Sequence, residues 1–207
     1  MKKIWLALAS MVLAFSVSAA DITEGKQYNS LSKPVANAPD VVEFFSFYCP
    51  HCYQFSEVFK VNSTVEKNVP ENTKVVRYHV DFLGKYGKDL TRAWAVAMAL
   101  GVEDQVSPAL FKAVQENQSI NSVEDIRTTF INAGVKAEDY DSAINSFVVN
   151  SLVSQQENAL ADYQINGVPA MIVNGKYKIR NDKIDAKSPE EYAKAYSDIV
   201  NQLIAKK

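Results

Sequence analysis

The sequence predicts an α/β protein in which a small mixed sheet flanked by helices is interrupted by an all-helical block. Three observations lead there. A strand-like run at 41–48 is followed by a helical pattern and a second strand-like run at 74–80. Residues 82–156 then read as helix throughout. Strand character returns only at 170–173 and 176–179, ahead of a final helix. Strand, helix, strand, hairpin and helix build one layered core, so the helical block reads as an insertion into it. The expected division is therefore 20–81 with 157–207 as one domain and 82–156 as the inserted one.

Residues 21–40 are polar and carry Pro34 and Pro39, which leaves room for one short strand at most. The run at 41–48 is β-branched and aromatic and apolar on both faces except at Glu43 and Ser46, the pattern of a central strand covered on both sides. Downstream, Tyr53, Phe55, Val58 and Phe59 fall on one helical side, and Pro50 suits the first turn, where a missing N–H costs nothing. After the strand at 74–80 a helix over 90–100 ends at Gly101. Ser107-Pro108 predicts the start of another helix running through Val114. Ser122 before Val123-Glu124-Asp125 is a capping pattern for a helix that closes at Gly134. From Ala137 to about Ile165 the helical stripe of Tyr140, Ile144, Phe147, Val148 and Leu152 continues, with a break expected at Val148-Val149-Asn150. Asn174-Gly175 between two strand-like runs is a strong hairpin signal. Ser188-Pro189-Glu190-Glu191 combines an N-cap, a first-turn proline and a capping-box glutamate for the last helix.

The first residues are Met1-Lys2-Lys3, then an apolar stretch to Val17 broken only by Ser10 and Ser16, then Ser18-Ala19-Ala20. A basic start, a short apolar middle and small residues at the end make a secretory signal, with cleavage expected after Ala19. Its removal takes two lysines and leaves 20 basic against 24 acidic residues over 188 positions, a net charge of −4. A mildly acidic chain without basic clusters argues against nucleic acid as partner and for a soluble exported protein.

Only two cysteines occur, and they sit together as Cys49-Pro50-His51-Cys52. A bridge across two residues closes a minimal loop, whereas a stabilising disulfide gains most from closing a long one. The pair therefore reads as chemistry, not as a staple, and export places it where disulfides persist. Cys49 stands where a buried strand enters a helix, facing unpaired N–H groups that favour a thiolate. His51, in the same turn, adds a positive or hydrogen-bonding contribution, and Cys52, one turn deeper, is the buried resolving thiol. A zinc site would need two more ligands, and the only other histidine is His79, inside a strand, where a packed or hydrogen-bonded role is favoured. No metal and no cofactor is expected. Glu43 is either at an exposed strand end or buried near the cysteines, where desolvation would raise its pKa and let it manage the proton of Cys52. Pro169 either starts a strand or shapes a loop at the site.

Cys49-Pro50-His51-Cys52 with Phe44-Phe45-Ser46-Phe47-Tyr48 before it and Tyr53-Gln54-Phe55 after it resembles the DsbA family of periplasmic thiol:disulfide oxidases of Gram-negative bacteria. So do Trp94-Ala95-Val96-Ala97-Met98-Ala99-Leu100-Gly101 and Gly167-Val168-Pro169-Ala170, and the likeness runs end to end, signal included. The resemblance implies a thioredoxin fold interrupted by a helical domain. It implies Cys49 as the attacking and exposed cysteine with Cys52 as its partner, and a loop of Val168 and cis Pro169 beside them that pairs with an extended substrate. It also implies a buried Glu43, reduced unfolded secreted proteins as substrates, reoxidation by a DsbB-like quinone-linked membrane oxidase, and a monomer. Ser56 stands where relatives often carry an acid, and the loop Gly84-Lys85-Tyr86-Gly87 is shorter than in the best-known member. The competing functional classes are a disulfide isomerase or reductase and a non-enzymatic peptide-binding chaperone.

Overall fold

The structure is a computed structural model that describes residues 21–206; the signal segment at 1–19 and its cleavage point lie outside them. Five strands form one mixed sheet: β1 (Tyr28–Ser30), β2 (Val41–Phe45), β3 (Val75–His79), β4 (Ala170–Val173) and β5 (Tyr177–Ile179), in the order β1-β5-β4-β2-β3. Only β2 and β3 run parallel, with Val41 opposite Val75 and Glu43 opposite Arg77. The remaining pairs are antiparallel. The helices are α1 (Pro50–Tyr53), α2 (Val61–Asn68), α3 (Gly87–Leu100), α4 (Glu103–Phe111), α5 (Val123–Asn132), α6 (Ala137–Ala143), α7 (Phe147–Asp162) and α8 (Pro189–Ala205). This is the layered α/β arrangement expected, with α3 to α7 between β3 and β4.

Strand β2 is the spine, and every one of its five residues is buried. Val42 and Phe44 face an apolar cluster completed by Tyr78, Ala159, Tyr163 and Ile172. Val41 belongs to a second cluster with Phe55 and Val65 and the α8 residues Tyr196 and Val200. Phe45 and Phe47 join a third, which contains Trp94, Leu110, Phe111 and Phe130 of the helical block together with Cys49 and Cys52. Truncating a ring so enclosed as that of Phe45, 0 % exposed, to alanine costs about 3–5 kcal/mol.

Several local signals act as read. The hairpin turn places Asn174 and Gly175 at φ 54° and 62°, the mirror-image turn geometry that matches strand twist. A side chain at Gly175 would meet the Val35 carbonyl at 2.4 Å. Ser122 and Ser188 each cap a helix by accepting a backbone N–H three residues on.

Other boundaries differ from expectation. Strand β2 ends at Phe45, not Tyr48, because the chain turns at 46–49 to enter α1. Helix α4 begins at Glu103, so Pro108 lies inside it instead of opening it. The acidic first turn of Glu103 and Asp104 suits the helix start, and the carbonyl that Pro108 leaves without a helical donor is that of exposed Asp104. The break in the long helical stripe falls before Phe147, not at 148–150: Ser146 caps α7, and Val149 is fully buried within it. Tertiary burial and a good cap outweigh the weak helix preference of β-branched residues.

Candidate active site

The site is built where β2 runs out. The turn over residues 46–49 is closed by the Cys49 N–H donating to the Ser46 carbonyl at 3.0 Å and the Tyr48 N–H donating to Ser46 Oγ at 3.2 Å. Cys49 then adopts extended backbone, φ −90° and ψ 112°, as the N-cap of α1, with Pro50 beginning the helix. Its sulfur occupies the place a serine or aspartate oxygen takes at other helix starts, accepting the Cys52 N–H at 3.1 Å. Helix α1 passes directly into a π-helical turn over Gln54–Val58.

Both cysteines carry free thiols, and Cys49, expected to be exposed, is instead buried at 6 % exposure, with Cys52 at 1 %. Hydrogen bonding from the Cys52 side chain, helped by the backbone N–H groups of Cys52 and His51, holds the Cys49 thiol below the ordinary thiol range. Burial and the charge of Glu43 oppose this and do not outweigh it. Cys52 goes the other way: burial first, then its hydrogen bond to Cys49, push its thiol up. Two sulfurs a turn apart are thus driven in opposite directions, which favours the anion at Cys49 and the proton at Cys52. His51 is exposed and reaches the sulfur through its backbone N–H.

Across from α1, the Val168–Pro169 peptide is cis, and the Cys49 thiol donates to the Val168 carbonyl at 3.4 Å. The Pro169 carbonyl accepts the Asn181 amide at 2.8 Å, which fixes the loop from its far side. The structure therefore brings Cys49, Pro50, Cys52, Val168 and Pro169 into one place, although 119 positions separate Cys49 from Val168.

Glu43 lies beneath them, 1 % exposed, with Arg77 Nε donating to Oε2 at 2.6 Å from the facing position on β3. The guanidinium of Arg77 sits over the rings of Phe45 and Trp94 at 4.6 and 5.3 Å. The charge of Glu43 acts on both sulfurs, raising each thiol. Ser56, 8 % exposed, donates to Glu57 Oε1 at 2.9 Å in the turn that follows α1. His79 is buried with both ring nitrogens engaged, by Phe47 N–H and by Thr91 Oγ1, so neither is free to bind a metal.

Sequence reasoning missed Arg77, which pairs with Glu43, and Gln115, whose side-chain amide donates to the Phe47 carbonyl at 2.6 Å. A cation two residues before His79 was the available signal for the first; nothing local marks the second. Tyr53 also donates to Glu116, tying α1 to the same part of the helical block.

The family model that matches, described as a DSBA-like thioredoxin domain, spans residues 40–197 and so includes every residue of this site. The chain belongs to that family. It is 60 % identical over 207 residues to the thiol:disulfide interchange protein DsbA of Dickeya dadantii and 59 % identical over 208 to that of Escherichia coli K12, covering 100 % of each chain. Among solved structures it is similar to the disulfide oxidoreductase DsbA of Proteus mirabilis, at 82 % identity and a TM-score of 0.87, covering 89 % of this chain and 98 % of that one. A cysteine-to-serine variant of the Proteus protein, solved with the non-covalently bound peptide PWATCDS, matches at 82 % identity and a TM-score of 0.88, covering 90 % of this chain and 100 % of that one. The fold is accordingly the thioredoxin-like one of this family.

Proposed function

We propose that the protein is a thiol:disulfide oxidase that donates the Cys49–Cys52 disulfide to newly exported proteins. The observation that carries this reading is the opposite treatment of the two sulfurs: Cys49 is held low at a helix start, and Cys52 is pushed up by burial. A favoured thiolate stabilises the dithiol form over the disulfide, which makes the disulfide oxidising; each unit of depression below ambient pH corresponds to about 30 mV.

The exchange runs in two displacements. A substrate thiolate attacks Cys49 Sγ, the Cys49–Cys52 bond breaks, and Cys52 leaves with the electron pair and takes up a proton. Its raised thiol favours that uptake, and buried Glu43, whose charge reaches both sulfurs, manages the proton. A second substrate thiolate then attacks the substrate sulfur of the mixed disulfide, and Cys49 departs as the stabilised thiolate. The substrate dithiol is oxidised by two electrons and the protein is left reduced. Pro50 sets the first turn of the helix, and His51 supplies an N–H to the leaving sulfur.

Val168 and cis Pro169 form the edge along which an extended substrate lies, bringing its cysteine to a sulfur 3.4 Å from the Val168 carbonyl. The peptide bound to the Proteus relative contains a cysteine, which supports a peptide substrate of this kind. The substrates are reduced, unfolded secreted proteins, and reoxidation falls to a DsbB-like quinone-linked membrane oxidase. The protein works in the periplasm as a monomer after signal cleavage, with 20–81 and 157–207 as the thioredoxin-like domain and 82–156 as the inserted one. Among the described residues no helix is long and apolar enough to cross a membrane.

Alkylation of the reduced protein by iodoacetamide across pH tests the reading: the rate at Cys49 follows a pKa well below that of a free thiol. An ordinary thiol pKa refutes the oxidase role. Insulin-reduction and peptide-oxidation assays with Cys49→Ser separate it from a reductant and from a chaperone that keeps its activity without the sulfur.

A further inference from the structure

The parallel ladder between β2 and β3 ends with Val80 N–H donating to the Phe45 carbonyl at 2.8 Å. Two residues further on, Phe47 is fully buried yet lies beyond any strand partner. A buried backbone donor without an acceptor is costly, so something else must take it. The acceptor is an imidazole: Phe47 N–H donates to His79 Nε2 at 3.1 Å. An accepting Nε2 places the ring proton on Nδ1, which donates to Thr91 Oγ1 at 2.8 Å.

His79 is itself enclosed by the helical block. Its backbone N–H donates to Gln156 Oε1 at 2.9 Å, and Gln156 Nε2 donates to the Thr91 carbonyl at 3.1 Å. Its ring stacks on that of Phe47 at 5.1 Å and meets Phe45 edge-on. Burial pushes the imidazole down to about 3, so it stays neutral and keeps its acceptor nitrogen at neutral pH. The other backbone group of Phe47 is held as well, its carbonyl accepting Gln115 Nε2 at 2.6 Å from the turn after α4.

We propose that His79 and Gln115 are positioning residues for the Cys49 sulfur, gripping Phe47 by its N–H and its carbonyl so that the 46–49 turn delivers Cys49 onto the Cys52 N–H. Phe47 is two residues from Cys49 and shares the turn that Ser46 closes, so its rotation moves the sulfur directly. Both grips come from outside β2, and the histidine is set by side chains on α3 and α7. The placement of the helical block against the sheet is thereby transmitted to the thiolate. The consequence for oxidation rests on the oxidase reading; the positioning itself does not.

The test uses the full mature chain with His79→Phe, His79→Gln and Gln115→Ala. The readouts are the Cys49 pKa, from the ultraviolet absorbance of the thiolate, and the equilibrium with glutathione. Phenylalanine keeps the ring and loses both nitrogens, so the Cys49 pKa rises by about one unit and the glutathione equilibrium shifts about tenfold toward a less oxidising couple. Glutamine presents an oxygen near the Nε2 position, which rescues most of the shift. Gln115→Ala moves both readouts the same way by about threefold, the scale of one solvent-competing hydrogen bond. Variants that fold with wild-type pKa and glutathione equilibrium, and lose only stability toward urea, overturn the proposal. So does His79→Gln behaving like His79→Phe. If His79→Phe does not fold, an unchanged Cys49 pKa in Gln115→Ala alone overturns it. Failure of the oxidase reading is separate, since it is seen in the wild type as an ordinary Cys49 pKa.

Discussion

Replacing Arg77 by methionine isolates the buried ion pair beneath the cysteines. Glu43 is 1 % exposed and Arg77's side chain 11 %, with 2.6 Å between Nε and Oε2. Removing one member of such a pair leaves a buried charge without compensation, at a cost of about 3–5 kcal/mol. Methionine retains an apolar stem against Phe45 and Trp94, so the loss is chiefly electrostatic, with the cation–ring contacts adding about 1 kcal/mol. Together these come to about 4–6 kcal/mol, so for a urea slope of about 2 kcal/mol/M the midpoint falls by about 2–3 M. The double variant Glu43→Leu with Arg77→Met removes both charges and regains most of that loss, because desolvating the pair offsets much of its attraction. The measurement is urea unfolding of the four reduced proteins at neutral pH, read as a double-mutant cycle. An Arg77→Met variant within about 1 kcal/mol of wild type, or a double variant as unstable as the single, refutes the claim that the two charges form one desolvated unit.

Further outcomes follow from the same structure. Glu43→Gln removes a charge that raises both thiols, so the Cys49 pKa falls, as thiolate absorbance will report. The reduced protein gains stability from its depressed Cys49 thiol relative to Cys49→Ser. That gain is complete above the ordinary thiol value of 9.0 and is lost as pH falls through the folded pKa, which urea melts of reduced protein across pH will trace. His79 stays neutral when folded down to about 3 but takes a proton near 6.5 once unfolded, so its contribution is full above 6.5 and shrinks below. At about pH 4.5 the advantage of wild type over His79→Gln is smaller by about 3 kcal/mol than at pH 7, from urea midpoints at the two pH values. Gly84 sits at φ +70°, and a Cβ there would lie 2.3 Å from the Tyr48 ring. Gly84→Ala therefore costs about 1–3 kcal/mol by thermal unfolding, and less in a Tyr48→Ala background, where only the backbone strain remains.

What was legible in the sequence was what acts over short range. The Asn174-Gly175 turn, the serine caps at 122 and 188, and the cysteine pair opening a helix are local signals, and the structure uses each of them. Where local preference met tertiary burial, the reading slipped, as at Pro108 within α4 and at the cap of Ser146. The fold at the level of thioredoxin likeness came from the resemblance, since spacing alone leaves the order of strands open. Partnerships across the sheet stayed hidden for a different reason. That Arg77 faces Glu43 depends on the register of two parallel strands, and that Gln115 reaches Phe47 depends on how a helical block folds back over 68 positions. Neither distance is written in composition or periodicity.

Cys49 and Cys52 lie in the same apolar cluster as Trp94, Leu110 and Phe111. The sulfur pair thus shares its apolar cluster with segments whose own sequence carries no redox signature. The ring of Phe111 meets those of Phe47 and Tyr53 on either side of the cysteine motif, at 4.8 and 5.9 Å, so a substitution there that leaves the chain folded loosens the packing that flanks the pair. Variation among natural versions of this chain should therefore tune oxidising strength from positions that never touch a substrate.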